Sequence, residues 1–180
     1  MRETWALIDH FFFRRISSSG FGLMRIAWAA TTLAYLIAHA QDAAFYYSDA
    51  GVLPNELGYL VFRSEYRWTL LSFVTDPNAV MLLYTFFALA VACVLVGLWP
   101  RITTVLAVFL MFSFRERNLL PLGGGETTLR NIGFILAISP GIAAFSIDRA
   151  VKQWSFWLSS GGTLMKPHLM SIWPQRLMLW

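Results

Sequence analysis

"LLYTFFALAVACVLVGLW", residues 82–99, holds no charged side chain, and its strongest polar groups are Tyr84 and Thr85. A run of this length and character suits a helix crossing a hydrocarbon core ~30 Å thick, which takes about 20 residues. It sets the class of the whole chain. Of the 180 residues, 57% are hydrophobic and only 13% charged, too little polar surface for a globule in water. Cys93, the single cysteine, lies inside this run and has no disulfide partner in the chain.

Working outward, three further runs complete an all-α integral membrane protein with about four transmembrane helices, expected at 18–40, 79–99, 101–118 and 129–147. The first contains "GFGLMRIAWAATTLAYLIAHA" from Gly20. The third, "ITTVLAVFLMFSF", is short and reaches across only if it continues into "RERN". The fourth carries Pro140 and Gly141, which a membrane helix accommodates as a kink. Residues 1–17 lack a cleavable signal pattern and read as an interfacial amphipathic segment, and 148–180 as a cytoplasmic or interfacial one. The long loop 41–78 is expected to hold interfacial helices, and "WPRITT" to turn a tight antiparallel hairpin.

Charge orients the bundle. One side holds Arg2, Arg14, Arg15, Arg101, Arg149, Lys152, Lys166 and Arg176 against Glu3, Asp9 and Asp148. The other holds Arg63, Arg67, Arg115, Arg117 and Arg130 against Asp42, Asp49, Glu56, Glu65, Asp76, Glu116 and Glu126. The positive-inside rule places both termini in the cytoplasm of an inner or plasma membrane protein. The basic balance therefore reflects topology, and no basic run interleaved with aromatics points to nucleic acid.

"RERNLLPLGGGETTLRN", residues 115–131, concentrates charge between two greasy runs. Arg115, Glu116, Arg117, Asn118, Glu126 and Arg130, with Gly124 and Gly125, are candidate ligand- or lipid-binding residues: a nest for an anionic headgroup or a quinone-like carbonyl. The plainer reading is an interfacial loop whose charges pair and whose glycines serve the turn, since no Lys-Ser/Thr follows them as in a phosphate loop. Arg25, about five residues into the first helix, is an intramembrane charge that must snorkel to the cytoplasmic face or pair with Asp9 or Asp148. In "FYYSDAGVLPNE", Asp49 suits a turn, and Tyr47, Asp49 and Glu56 form a loop polar cluster able to meet Arg115 or Arg130. His10, His39 and His168 stand alone, and the tryptophans, Trp28 among them, read as interfacial anchors. No metal spacing, catalytic triad or paired carboxylate is evident, so no residue is expected to be catalytic and none to hold a metal.

Five stretches in order, "LMRIAWAATTLAYL", "FYYSDAGVLP", "LVGLWPRIT", "RNLLPLGGGETTLRNIGFILAISP" and "WPQRLMLW", resemble the HTTM (horizontally transferred transmembrane) domain family, related to the membrane domain of vitamin K-dependent γ-carboxylase. The resemblance covers about residues 20–180 and implies the membrane bundle. The family's glycine pair is commonly followed by an aspartate, whereas Gly125 and then Glu126 stand here. The lysine that resembles the carboxylases' catalytic base lies downstream of "W-P-x-R-L", and no residue of this chain corresponds to it.

The expected function is thus a non-catalytic accessory or structural subunit packed against other membrane proteins, for example in a respiratory or photosynthetic complex. The alternatives are the N-terminal part of a carboxylase-like membrane enzyme, marked by a pocket of Glu116, Asn118 and Arg130, and a lipid- or quinone-binding module. No cofactor is required by the sequence; the expected partners are membrane lipids and other membrane subunits, with no nucleic acid.

Overall fold

The computed structural model describes residues 10–11, 13–61, 69–118, 124–140, 142–160 and 169–177. It is mostly helical. In chain order the elements are β1 (Arg15–Ser17), α1 (Ser19–Ala38), α2 (Ala43–Tyr47), α3 (Asn55–Val61), a 3-10 turn (Leu70–Phe73), α4 (Pro77–Val96), α5 (Pro100–Arg117), α6 (Gly124–Ile138), α7 (Ile147–Ser159), β2 (Leu169–Ser171) and α8 (Trp173–Leu177).

Two of these helices, α1 and α4, are long and apolar enough to cross a membrane. Local chemistry sets their ends. Asp76 caps α4, its Oδ2 accepting the Ala79 amide over 3.0 Å with Pro77 at the first helical position. Gly97 closes the same helix in the left-handed region at φ 79°, which glycine adopts without a Cβ penalty. Pro100 then opens α5, so the expected tight hairpin forms.

The long helices carry apolar side chains on both their buried and their exposed faces. On α1 the buried stripe is Phe21, Arg25, Trp28, Thr32 and Leu36, while Leu23 and Ile37 are exposed. On α4 both faces are apolar: Val80, Tyr84, Phe87 and Val91 face inward, and Leu82, 74% exposed, joins Phe86 and Leu89 outward. A helix apolar all round needs an apolar surround. The core forms where α1 packs on α4 and α6, α4 on α5, and α5 on α6.

Several expectations are revised. The fourth helix begins at Gly124 and stops at Ile138 instead of running over 129–147, because Pro140 has no amide to extend it. β1, in the N-terminal flanking segment, pairs antiparallel with β2, in the C-terminal one, with Ile16 facing Met170, so the flanking segments are not wholly helical. Trp28 is no interfacial anchor: it is buried at mid-helix and donates Nε1–H to the Leu129 carbonyl over 2.6 Å. Gly133 makes room for it, since a Cβ there would lie 2.7 Å from Trp28 Cζ2. The expected residues Asp9, Arg63, Glu65, Arg67, Lys166 and His168 lie outside the described residues.

Arg25 does not snorkel to the surface, and among the described residues it forms no ion pair. Its guanidinium is wholly buried and donates to the carbonyls of Ile142 over 2.7 Å and Phe145 over 3.0 Å. Those carbonyls follow the end of α6, where the chain leaves its helical hydrogen bonds, and Phe145 sits at φ 53°. Asp148 is engaged elsewhere, accepting the Trp99 amide over 2.8 Å. One end of the bundle is thereby stapled by side chain to backbone.

Candidate polar cavity at the other end of the bundle

Thr32, Tyr35 and His39 follow one another at helical spacing along the last turns of α1. Tyr35 Oη donates to Glu126 Oε1 in the first turn of α6, and His39 Nδ1 lies 2.9 Å from the Tyr35 carbonyl. Tyr84 of α4 donates to the Leu36 carbonyl over 2.7 Å. Phe114 of α5 packs edge-on to Tyr47 and Tyr84 and stacks on Phe87, fixing the aromatic wall.

Between these groups lies a cavity of about 40 Å³. Thr32, Tyr35, Tyr47, Arg115, Glu126 and Arg130 supply its polar wall, with Leu36, Phe87, Met111 and Leu129 among the apolar lining. Three polar atoms of that wall are buried without a hydrogen-bond partner among the described residues: Thr32 Oγ1, Arg115 Nε and Arg115 Nη1. Such atoms also occur elsewhere, at Arg25 Nε, Thr104, Ser113 and Arg176 Nε, but here they border a cavity and can pair with oxygen acceptors, water included. The Tyr47 phenol is pushed above its ordinary value, first by burial and then by the Glu126 carboxylate, and so stays a protonated donor.

Arg130 links this cavity to a second space. Its guanidinium lies 5.3 Å from the Phe112 ring centre and within electrostatic range of Arg115 and Glu116. The same residue borders a groove of about 780 Å³ whose other walls include Met24, Phe112, Ile132, Phe134 and Ile135. Arg130 is thus the residue that the polar cavity and the more apolar groove share.

The structure divides the charged stretch. Arg115, Glu126 and Arg130 meet at the cavity, whereas Arg117 and Asn118 turn toward the loop. Arg117 Nη2 donates to Asp49 Oδ1 over 2.5 Å and its Nε to the Tyr47 carbonyl over 3.2 Å; Asn118 Nδ2 donates to the Tyr46 carbonyl over 2.7 Å. Asp49 also accepts the Asn55 amide over 3.0 Å, as a turn-forming aspartate does. The loop cluster therefore splits as well: Tyr47 lines the cavity, Asp49 pairs with Arg117 instead of Arg115 or Arg130, and Glu56 is exposed. Gly124 opens α6, and a Cβ on Gly125 would touch nothing within 4 Å, so the glycine at 125 answers no close approach.

No protein-family model, curated protein or solved structure matches the chain. Geometry alone therefore carries the functional reading. Among the described residues, no group of three His, Cys, Asp or Glu side chains stands ready to hold a metal ion. Of the residues Glu116, Asn118 and Arg130 expected in a carboxylase-like pocket, Arg130 lines the cavity with Arg115 and Glu126 and lies within electrostatic range of Glu116, while Asn118 Nδ2 donates to the Tyr46 carbonyl. Thr32, Tyr35 and Tyr84 escaped the sequence reading because each sits within an apolar run. The polar spacing of Thr32, Tyr35 and His39 was the available signal.

Proposed function

We propose that this chain is a small integral membrane protein of four crossings, both termini cytoplasmic, that binds an amphipathic molecule and performs no chemistry of its own. The observation that carries this is Arg130, which borders both the polar cavity and the apolar groove. An acceptor-bearing head, phosphate or quinone-type carbonyl, suits the unpartnered Arg115 donors and the Thr32 hydroxyl. A hydrocarbon tail suits the trough of Phe112, Phe134 and Ile135. The cavity takes only a headgroup's oxygens, on the order of a water or a few in volume, so the tail lies outside it.

Membership in the HTTM family is proposed on the sequence resemblance. The residues that carry it, Arg25, Asp49 and Asn118, are each bound to partners inside the chain, which favours a shared architecture over shared chemistry. A role as an accessory subunit is the second reading, favoured by exposed apolar side chains such as Leu23, Ile37, Leu82, Leu89, Ile102 and Val105. The two roles are compatible.

The test is native mass spectrometry of the full chain released from membranes in a mild detergent, followed by lipid extraction. One amphiphile per chain is expected, and the extract distinguishes phospholipid from quinone. A bare chain, or a nonspecific ladder of lipids, would sink the binding role; a stoichiometric protein partner with no bound amphiphile would leave the accessory reading in its place.

A further inference from the structure

α7 is a helix of 13 residues with none buried, held to the rest of the chain at its start. Ser146 caps it, accepting the Arg149 amide over 3.2 Å, and Asp148 accepts the Trp99 amide in the turn between α4 and α5. Its first turn is therefore fixed at the end of the bundle where α4, long and apolar enough to span a membrane, terminates. At ~100° per residue, Ile147, Val151, Trp154 and Leu158 form one stripe, flanked by Ala150 and Trp157. Val151, Trp154 and Leu158 are each more than 60% exposed, and Trp154 stacks on Trp157. Lys152, Ser155 and Ser159 occupy another side, with Arg149 and Gln153 beyond them.

We infer that α7 lies in the plane of the membrane interface and docks its Val151–Trp154–Leu158 stripe into a leaflet of anionic lipid. An apolar stripe with large aromatics, backed by cations and tethered beside the end of a spanning helix, fits lipid better than a protein groove. Charge chooses the leaflet: Arg149 and Lys152 outnumber Asp148, which is held at the Trp99 amide, and the two cations meet lipid phosphates. Phe156 is the exception, apolar on the polar side and 41% exposed.

The test places single nitroxide labels at 151, 154 and 158 and at 152, 155 and 159, on a Cys93→Ala background, in full chain reconstituted into phosphatidylcholine–phosphatidylglycerol vesicles. Oxygen should relax the first three labels and a water-soluble nickel complex the last three, with helical periodicity. Deuterium uptake of residues 147–159 in the unmodified chain should fall when the anionic lipid is included, an effect weakened in Lys152→Gln. Uniform nickel access at all six sites, protection from both reagents, or uptake indifferent to phosphatidylglycerol would overturn the inference.

Discussion

Arg117 Nη2 lies 2.5 Å from Asp49 Oδ1, joining the end of α5 to the turn after α2 across 68 residues of sequence. The guanidinium side chain is 3% exposed and the carboxylate side chain 33% exposed, so the two ends of the pair have unequal stakes. Removing the carboxylate strands a buried cation, whereas removing the cation leaves Asp49 with the Asn55 amide and some water. Asp49→Ala should therefore cost about 3 kcal/mol and Arg117→Met less, measured by unfolding in detergent. Equal losses, or none from Asp49→Ala, would contradict the asymmetry.

The opposite end depends on Arg25. Because its partners are two backbone carbonyls, Arg25→Met leaves both without a donor, and Arg25→Lys cannot span them with a single ammonium. Both variants should be destabilised, on the order of 2–4 kcal/mol, with Arg25→Lys the milder. Thermal unfolding measures the loss. Native stability in Arg25→Met would mean that the α6–α7 turn holds itself.

Trp28 and Gly133 form a second coupled pair. Trp28→Phe removes the bond to Leu129 and should cost about 1 kcal/mol. Gly133→Val pushes carbon into the indole and into Val108, so it should cost more, within the roughly 1–3 kcal/mol typical of overpacking. Combining the two substitutions should cost less than their sum, because the smaller ring yields room. Strict additivity in a double-mutant cycle would show that the contact is not shared.

Tyr47 links stability to alkaline pH. With its folded-state pKa raised above the unfolded value of about 10, the folded chain holds the proton longer. The contribution is complete below about pH 10 and is lost as pH rises through the folded-state value. Tyr47→Phe should flatten the fall in unfolding midpoint above about pH 10; an unchanged slope would rule Tyr47 out as its source.

The two helices long enough to span a membrane were legible because their apolar runs approach 20 residues, while the caps that end α4, Asp76 and Gly97, emerge only with the structure. The end of α6 was hidden, since a proline such as Pro140 can kink a membrane helix as well as stop it, and the Arg25 contacts that hold the chain beyond the stop carry no sequence signature. The partners of Arg25 were hidden for a related reason: a carboxylate partner can be sought in a sequence, but the carbonyls of Ile142 and Phe145 carry no residue signature. In the charged stretch 115–131, neighbours separated because adjacent helical residues point different ways. Arg115 faces the cavity while Arg117, two residues on, faces Asp49.

That separation is also the most direct test. Arg115→Met and Arg117→Met remove identical charges from one helical turn, so unfolding midpoint and bound amphiphile should be read from the same two samples. The expected result is loss of the amphiphile with the lipid-free midpoint little changed in Arg115→Met, and a lowered midpoint with the amphiphile retained in Arg117→Met. Retention in both variants, or loss of stability in both with no difference in binding, would contradict the division into a structural staple and a binding cavity.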